Sequence, residues 1–278
     1  MPTALIVRTA GTNCDAELAR AFELAGASTT LVHLDRLIAD PTPIAGASLI
    51  GLPGGFSYGD DIASGRIFAM KASERLFEPM AEAVDRGVPI IGVCNGFQVL
   101  VQMGLLPGPD DGGSMAGTKP KQRLALTDNS DARFHDRWVQ VEPAASPPCV
   151  WLRSMRQRMA LPSMAATLTL PVAHGEGRLL AADSDVLAAI EADGRACLRY
   201  VDNFNGSVGS IAGVCDRSGL VFGLMPHPER YLDWTRHPHW TRLPEEVRSG
   251  DTPGLAMFKD AVAFAARTGT AAGAASAG

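Results

Sequence analysis

Residues 89–103 read PIIGVCNGFQVLVQM, and this stretch decides the fold. Pro89–Val93 is a short apolar run of the kind that forms a buried parallel strand, and Gly96–Met103 repeats its apolar residues at helical spacing. Cys94 lies between them, with Gly92 and Gly96 two residues away on either side. A strand that turns at once into a helix strains the backbone at the turning residue, and flanking glycines let the two elements approach without a Cβ clash. That is the geometry of a nucleophile elbow. A thiol at a helix N-terminus also feels the positive end of the helix dipole, which favours the thiolate. The competing reading is a buried cysteine packed as a small apolar side chain. The two glycines and the strand–helix context weigh against it.

Outward from the elbow, strand and helix patterns alternate. Ala4–Val7 is a short apolar run, and Asp15–Ala25 is helix-periodic and stops at Gly26. Ser28–His33 supplies β-branched residues, Ala47–Leu52 is a further strand, and Glu74–Arg86 has helical spacing before Gly87. Such alternation predicts an α/β domain with a mostly parallel central sheet flanked by helices, whose sites form at the carboxyl ends of the strands. Beyond Gly104 the pattern breaks into Trp138–Glu142, Thr167–Pro171, Leu198–Val201, Val208–Val214 and Val221–Met225, which predict an antiparallel or mixed extension of the same sheet. Residues 107–133 and 143–165 are rich in Pro, Gly, Ser and charge and are expected to be surface insertions. One domain over residues 1–267 and a flexible low-complexity tail over 268–278 complete the expected organisation.

Composition narrows the function classes. Of 278 residues, 46% are hydrophobic and 20% charged, which is ordinary for a globular enzyme. A net charge of -5 leaves no basic excess for a phosphate backbone, so no nucleic-acid partner is expected. The apolar run near the start is too short for a signal peptide, and no stretch reaches the roughly 18 apolar residues of a membrane span. Five cysteines at irregular spacing argue against a disulfide framework, and a cytoplasmic location is expected.

Two further segments carry chemistry. Met225-Pro226-His227-Pro228-Glu229-Arg230 follows a strand directly, and its prolines are expected to hold it extended, so that His227 and Glu229 project to one side. Amide cleavage by cysteine needs a base and a third group that orients the base, and this pair can supply both. Taken alone, the pair reads better as a surface histidine beside a carboxylate; its weight comes from coexisting with the elbow. The loop Leu52-Pro53-Gly54-Gly55-Phe56-Ser57-Tyr58-Gly59-Asp60 exposes backbone N–H groups near a strand end. With the N–H of Asn95, those of Gly54 and Gly55 can form an oxyanion hole. A nucleotide P-loop is excluded because no Gly-Lys-Ser/Thr follows. His237-Pro238-His239 is an incomplete metal set, so no metal is expected, and Cys14, Cys149, Cys197 and Cys215 are read as structural.

Together, LPGGFSYGDD, GVCNGFQ, PVAHGEGR, DNFNGSVGSIAG and GLMPHPER resemble the class I glutamine amidotransferases, which have a flavodoxin-like fold. Within that group they look like the glutaminase subunits of phosphoribosylformylglycinamidine synthase. The resemblance runs in order from about Ala4 to Arg230. It implies a Cys94–His227–Glu229 triad that forms a γ-glutamyl thioester, with Gln98 and the Asn205-Gly206-Ser207 turn contacting L-glutamine. His174-Gly175-Glu176-Gly177 would belong to the pocket rim or a partner contact. The resemblance also implies a separate synthetase subunit, holding ATP and Mg and acting on formylglycinamide ribonucleotide, together with a small accessory subunit. Two rivals stand beside this reading: an amidotransferase subunit for another acceptor, and a non-catalytic regulatory protein on the same fold. The intact His227 and Glu229 argue against the second.

Overall fold

The computed structural model describes residues 1–109, 113–117, 119–165 and 167–275. Strands β1 (Thr3–Arg8), β2 (Ser28–His33), β3 (Leu49–Leu52) and β4 (Ile90–Val93) form the parallel part of the sheet. A separate two-stranded antiparallel sheet, β5 (Leu124–Thr127) with β8 (Arg178–Ala181), stands apart from it. Strands β6 (His135–Pro143), β7 (Thr169–His174), β9 (Leu198–Tyr200), β10 (Ile211–Cys215) and β11 (Val221–Leu224) complete the main sheet, in the order β2-β1-β3-β4-β11-β10-β9-β6-β7. β11 runs parallel to β4, and the strands beyond it are antiparallel. This is the mixed sheet with an antiparallel extension that the sequence predicts.

Every residue of β3, β4 and β11 is buried, as parallel strands covered on both faces require. The two covering layers can be read from adjacent residues of β3. A Cβ on Gly51 would meet Leu18 and Phe22 of the helix Asp15–Leu24, whereas Leu52 packs against Gly96 of the helix Asn95–Met103. Successive strand residues point to opposite faces, so these helices lie on opposite sides. The helix Pro253–Ala275 joins the first layer through Phe258, whose ring stands 5.2 Å from Phe22 and 6.4 Å from Trp151. Edge-to-face packing of this kind adds to the burial of the rings. No helix among the described residues is long and apolar enough to cross a membrane.

Three expectations change. Residues 143–165 are not a mere surface insertion: Trp151, Leu152 and Met155 are fully buried, and Trp151 Nε1 donates to Leu220 O at 3.1 Å. The apolar positions in this segment are few, and the polar residues between them hide its buried face. Residues 107–133 likewise contain β5. The terminal helix carries on through Ala275, since alanine has the highest helix propensity, in place of a tail frayed from residue 268. Residues 110–112, 118 and 276–278 of these segments lie outside the described residues.

Candidate active site

Cys94 sits at the joint between β4 and the helix Asn95–Met103 with φ 51° and ψ -107°, a conformation few non-glycine residues adopt. Its N–H donates to Leu224 O at 2.8 Å, which ties the elbow to the neighbouring strand end. The flanking glycines serve the purpose read from the sequence. A Cβ on Gly96 would lie 2.0 Å from Leu52 O, and one on Gly92 would lie 2.5 Å from Gly96 O. Backbone cannot retreat from such contacts as a flexible side chain can. Gly96→Ala is therefore expected to destabilise the chain by about 2 kcal/mol or more in denaturant unfolding. Gly46→Ala, whose Cβ would meet nothing closer than 4.0 Å, is the near-neutral control.

Because Leu224 of β11 pairs with Val93 of β4, the chain leaving β11 runs directly beside the elbow. His227 is held there by its N–H, which donates to Pro171 O at 2.8 Å. Its Nδ1 lies 2.6 Å from Glu229 Oε1, and both side chains are shut off from solvent. The two meet as expected, but by a different route. Pro228–Arg230 is a single 3-10 turn rather than extended chain, and it is this turn that folds the carboxylate back onto the ring.

With Nδ1 taken by Glu229, Nε2 is the ring atom left for chemistry, and it has no hydrogen-bond partner among the described residues. Burial disfavours the charged ring, but the Glu229 carboxylate and the Cys94 and Cys14 sulfurs outweigh it and lift the His227 imidazole well above its ordinary range. The site is thus built to hold an imidazolium beside the nucleophile sulfur. His174 is the opposite case. Burial and the nearby charge of His227 push it down to about 3, so it stays neutral, with Nδ1 3.1 Å from Asn129 Oδ1.

Gly54 explains itself by what a side chain would hit: its Cβ would stand 2.8 Å from His227 Cε1 and 3.4 Å from Cys94 Cβ. The Gly54-Gly55 loop is also less free than its composition suggests. Gly54 O accepts from Cys14 N at 3.3 Å, Phe56 N donates to Gly11 O at 2.9 Å, and Tyr58 N donates to Ala10 O at 2.9 Å. The Asn95 side chain donates to Asp60 Oδ1 and Gln98 Oε1, each at 3.1 Å, and so pins the loop tip to the helix start.

The residues expected to contact glutamine are tied into the chain by hydrogen bonds of their own. Gln98 Nε2 donates to Glu176 O at 2.6 Å, Asn205 Nδ2 donates to Gly177 O at 2.9 Å, and Ser207 Oγ accepts from Leu179 N at 3.0 Å. Gly206, at φ 77°, packs against Ser130. These residues brace the Gly175-Glu176-Gly177 turn, and Glu176 Oε2 in turn accepts from Ser64 N at 3.1 Å.

Cys14, read from the sequence as structural, is in the site. Arg230 Nη2 donates to its sulfur at 3.1 Å while Arg230 Nε binds Glu17 Oε2 at 3.1 Å. Burial raises the Cys14 thiol above its ordinary range, although His227 and Arg230 pull the other way. A cavity of about 200 Å³ opens here, lined by Asn13, Cys14, Cys94, Ala173, His227 and Arg230 among others. Hollows of about 450 and 670 Å³ lie beside Asp216–Leu220 and Arg153–Ala160, but neither contains a thiol or a histidine, so size does not select the site. At the mouth of the smaller cavity Phe56 and Phe134 stack at 6.4 Å, 47% and 54% exposed. His237 packs among Trp138 and Tyr231, and its ring stands 6.1 Å from that of His239.

The chain matches the CobB/CobQ-like glutamine amidotransferase domain over residues 1–265. It is 39% identical over 267 residues to phosphoribosylformylglycinamidine synthase subunit PurQ of Dehalococcoides mccartyi, an alignment covering 94% of this chain and 96% of that one. It is 36% identical over 286 residues to the subunit PurQ of Methanococcus maripaludis, covering 95% and 97%. Among solved structures it is similar to PurLQS from Thermotoga maritima, with a TM-score of 0.65, 31% identity and coverage of 95% of this chain and 98% of that chain.

Proposed function

The chain belongs to the CobB/CobQ-like glutamine amidotransferase domain family, and from that premise we propose that it is the glutaminase subunit of a phosphoribosylformylglycinamidine synthase. The observation that carries the chemistry is the buried His227–Glu229 pair, at 2.6 Å, set beside a cysteine held in an elbow at positive φ. Cys94 Sγ attacks the side-chain carbonyl carbon of L-glutamine. The developing oxyanion is received by backbone N–H groups of the Gly54-Gly55 loop and Asn95. His227 gives its proton to the departing amide nitrogen, so ammonia leaves and a γ-glutamyl thioester remains. Water, with His227 now as base, cleaves the thioester to glutamate. Glu229 holds the ring in one tautomer and stabilises its charge throughout. Gln98 and the Asn205-Gly206-Ser207 turn form the wall of the glutamine pocket by fixing the Gly175–Gly177 turn in place.

The ammonia passes to a synthetase subunit that holds ATP and Mg and converts formylglycinamide ribonucleotide to formylglycinamidine ribonucleotide, with a small accessory subunit completing the cytoplasmic complex. The relatives' names support this acceptor, and the exposed Phe56–Phe134 pair at the cavity mouth is an apolar surface of the kind a protein partner covers. The isolated chain is expected to be a weak glutaminase that speeds up when the synthetase and its nucleotide substrates bind. Misplacing a reacting group by about 1 Å costs on the order of a hundredfold in rate. The unit that a partner would shift is the Gly54–Tyr58 loop together with residues 10–14, to which it is hydrogen-bonded. Steady-state glutaminase rates with and without the synthetase decide the matter. Full activity in the chain alone, unchanged by the partner, would point to a free-standing glutaminase.

A further inference from the structure

Three of the cysteines lie together at the opposite end of the strands from the elbow. Cys215 ends β10 and pairs with Phe222 near the start of β11, whereas Cys94 follows the carboxyl end of the adjacent β4. Cys197 precedes β9, and Cys149 precedes the turn Val150–Leu152. Their sulfur atoms all lie within 4.8 Å of one another, and the three residues are buried. A metal–thiolate bond of about 2.3 Å places three sulfurs about 4.0 Å apart in a trigonal plane. The observed set therefore needs less than about 1 Å of closure, which small χ1 rotations provide.

We infer that Cys149, Cys197 and Cys215 form a structural site for a soft, thiophilic metal ion, zinc(II) or copper(I), held by three thiolates. Buried thiols with no further role scatter through a core as small apolar residues. Here three converge from separate segments beside the buried guanidinium of Arg195, whose backbone O accepts from the N–H of both Cys197 and Cys215. Among the described residues no fourth Cys, His, Asp or Glu ligand atom joins the set. The neighbouring Asp216 is taken up by its own turn, accepting from Ser218 N at 3.0 Å and Val221 N at 2.8 Å. Soft all-sulfur surroundings select zinc and copper(I) over harder ions. Binding exchanges the three thiol protons for the metal, with no change of oxidation state. The ion would fasten the segment from Cys149 through Trp151 to β9 and β10.

The test uses the full chain produced with added zinc(II) and, separately, with added copper(I). Metal content is measured by elemental analysis and the ligand shell by X-ray absorption. The expected result for at least one of the two ions is about one ion per chain in a three-sulfur shell, lost from each of Cys149→Ala, Cys197→Ala and Cys215→Ala. The wild-type shell decides on its own if a variant fails to accumulate. Cys14, His227 and Glu229 also lie within 4.8 Å of one another and would give a single sulfur with nitrogen and oxygen. No ion retained, a shell dominated by nitrogen and oxygen, or retention by all three variants would overturn the inference.

Discussion

Cys94→Ala is expected to abolish glutamine-dependent synthesis in the assembled complex, by about a thousandfold or more, while synthesis from free ammonia stays near the wild-type rate. The thiol is the atom that forms the thioester, and no other side chain in the cavity is held at the elbow. Cys14 lines the same cavity and also precedes a helix, Asp15–Leu24, but Arg230 and Asn13 hold its sulfur, and it lacks the positive-φ elbow that Cys94 has between β4 and its helix. Alanine at position 94 keeps the backbone and removes only the sulfur, so the fold and the partner surface should survive. Equal loss of ammonia-dependent activity in an intact complex would mean that Cys94 serves assembly instead of amide cleavage.

His227→Ala should cost nearly as much as loss of the nucleophile, and Glu229→Gln should cost roughly a hundredfold less than either, since an orienting carboxylate contributes less than the base it orients. The two substitutions also differ in stability. Removing His227 strands a buried carboxylate without its partner, a loss of about 3–5 kcal/mol, whereas Glu229→Gln removes the charge and keeps the volume. Kinetics and thermal unfolding of the same variants separate the two effects, and Glu229→Gln added to His227→Ala should restore part of the lost stability. Because the triad acts as a unit, Cys94→Ala with His227→Ala should be little worse than Cys94→Ala alone. A much lower rate for the double variant would show the histidine acting separately.

The parts of this site legible in the sequence are those fixed by local backbone geometry. Gly92 and Gly96 announce the elbow because a strand and a helix that meet at one residue leave no room for Cβ, and the contacts of 2.5 and 2.0 Å show that crowding. His227 and Glu229 are close in sequence, and one turn brings them together. Cys14 is not legible: far from His227 in sequence, it reaches the ring only because β1 and β11 run parallel and their carboxyl ends lie on the same side of the sheet. The same is true of the three-cysteine cluster, whose members become neighbours through the pairing of β9 with β10 and the docking of Trp151. The amide groups of Gln98 and Asn205 bond the backbone of residues 176–177, a pairing set by long-range packing that the sequence does not show. The helical patterns fail where polar residues mask a buried face, as in 150–159, and where alanine-rich composition reads as low complexity, as in the last helix.

The most direct test of Cys94 as the nucleophile is covalent trapping with a glutamine-analogue electrophile in the assembled complex, followed by mass mapping of the modified peptide. One label per chain is predicted on Cys94, blocked by excess L-glutamine and absent from Cys94→Ala. Labelling that falls on Cys14 instead, or glutamine turnover that continues in Cys94→Ala without any label, would contradict it.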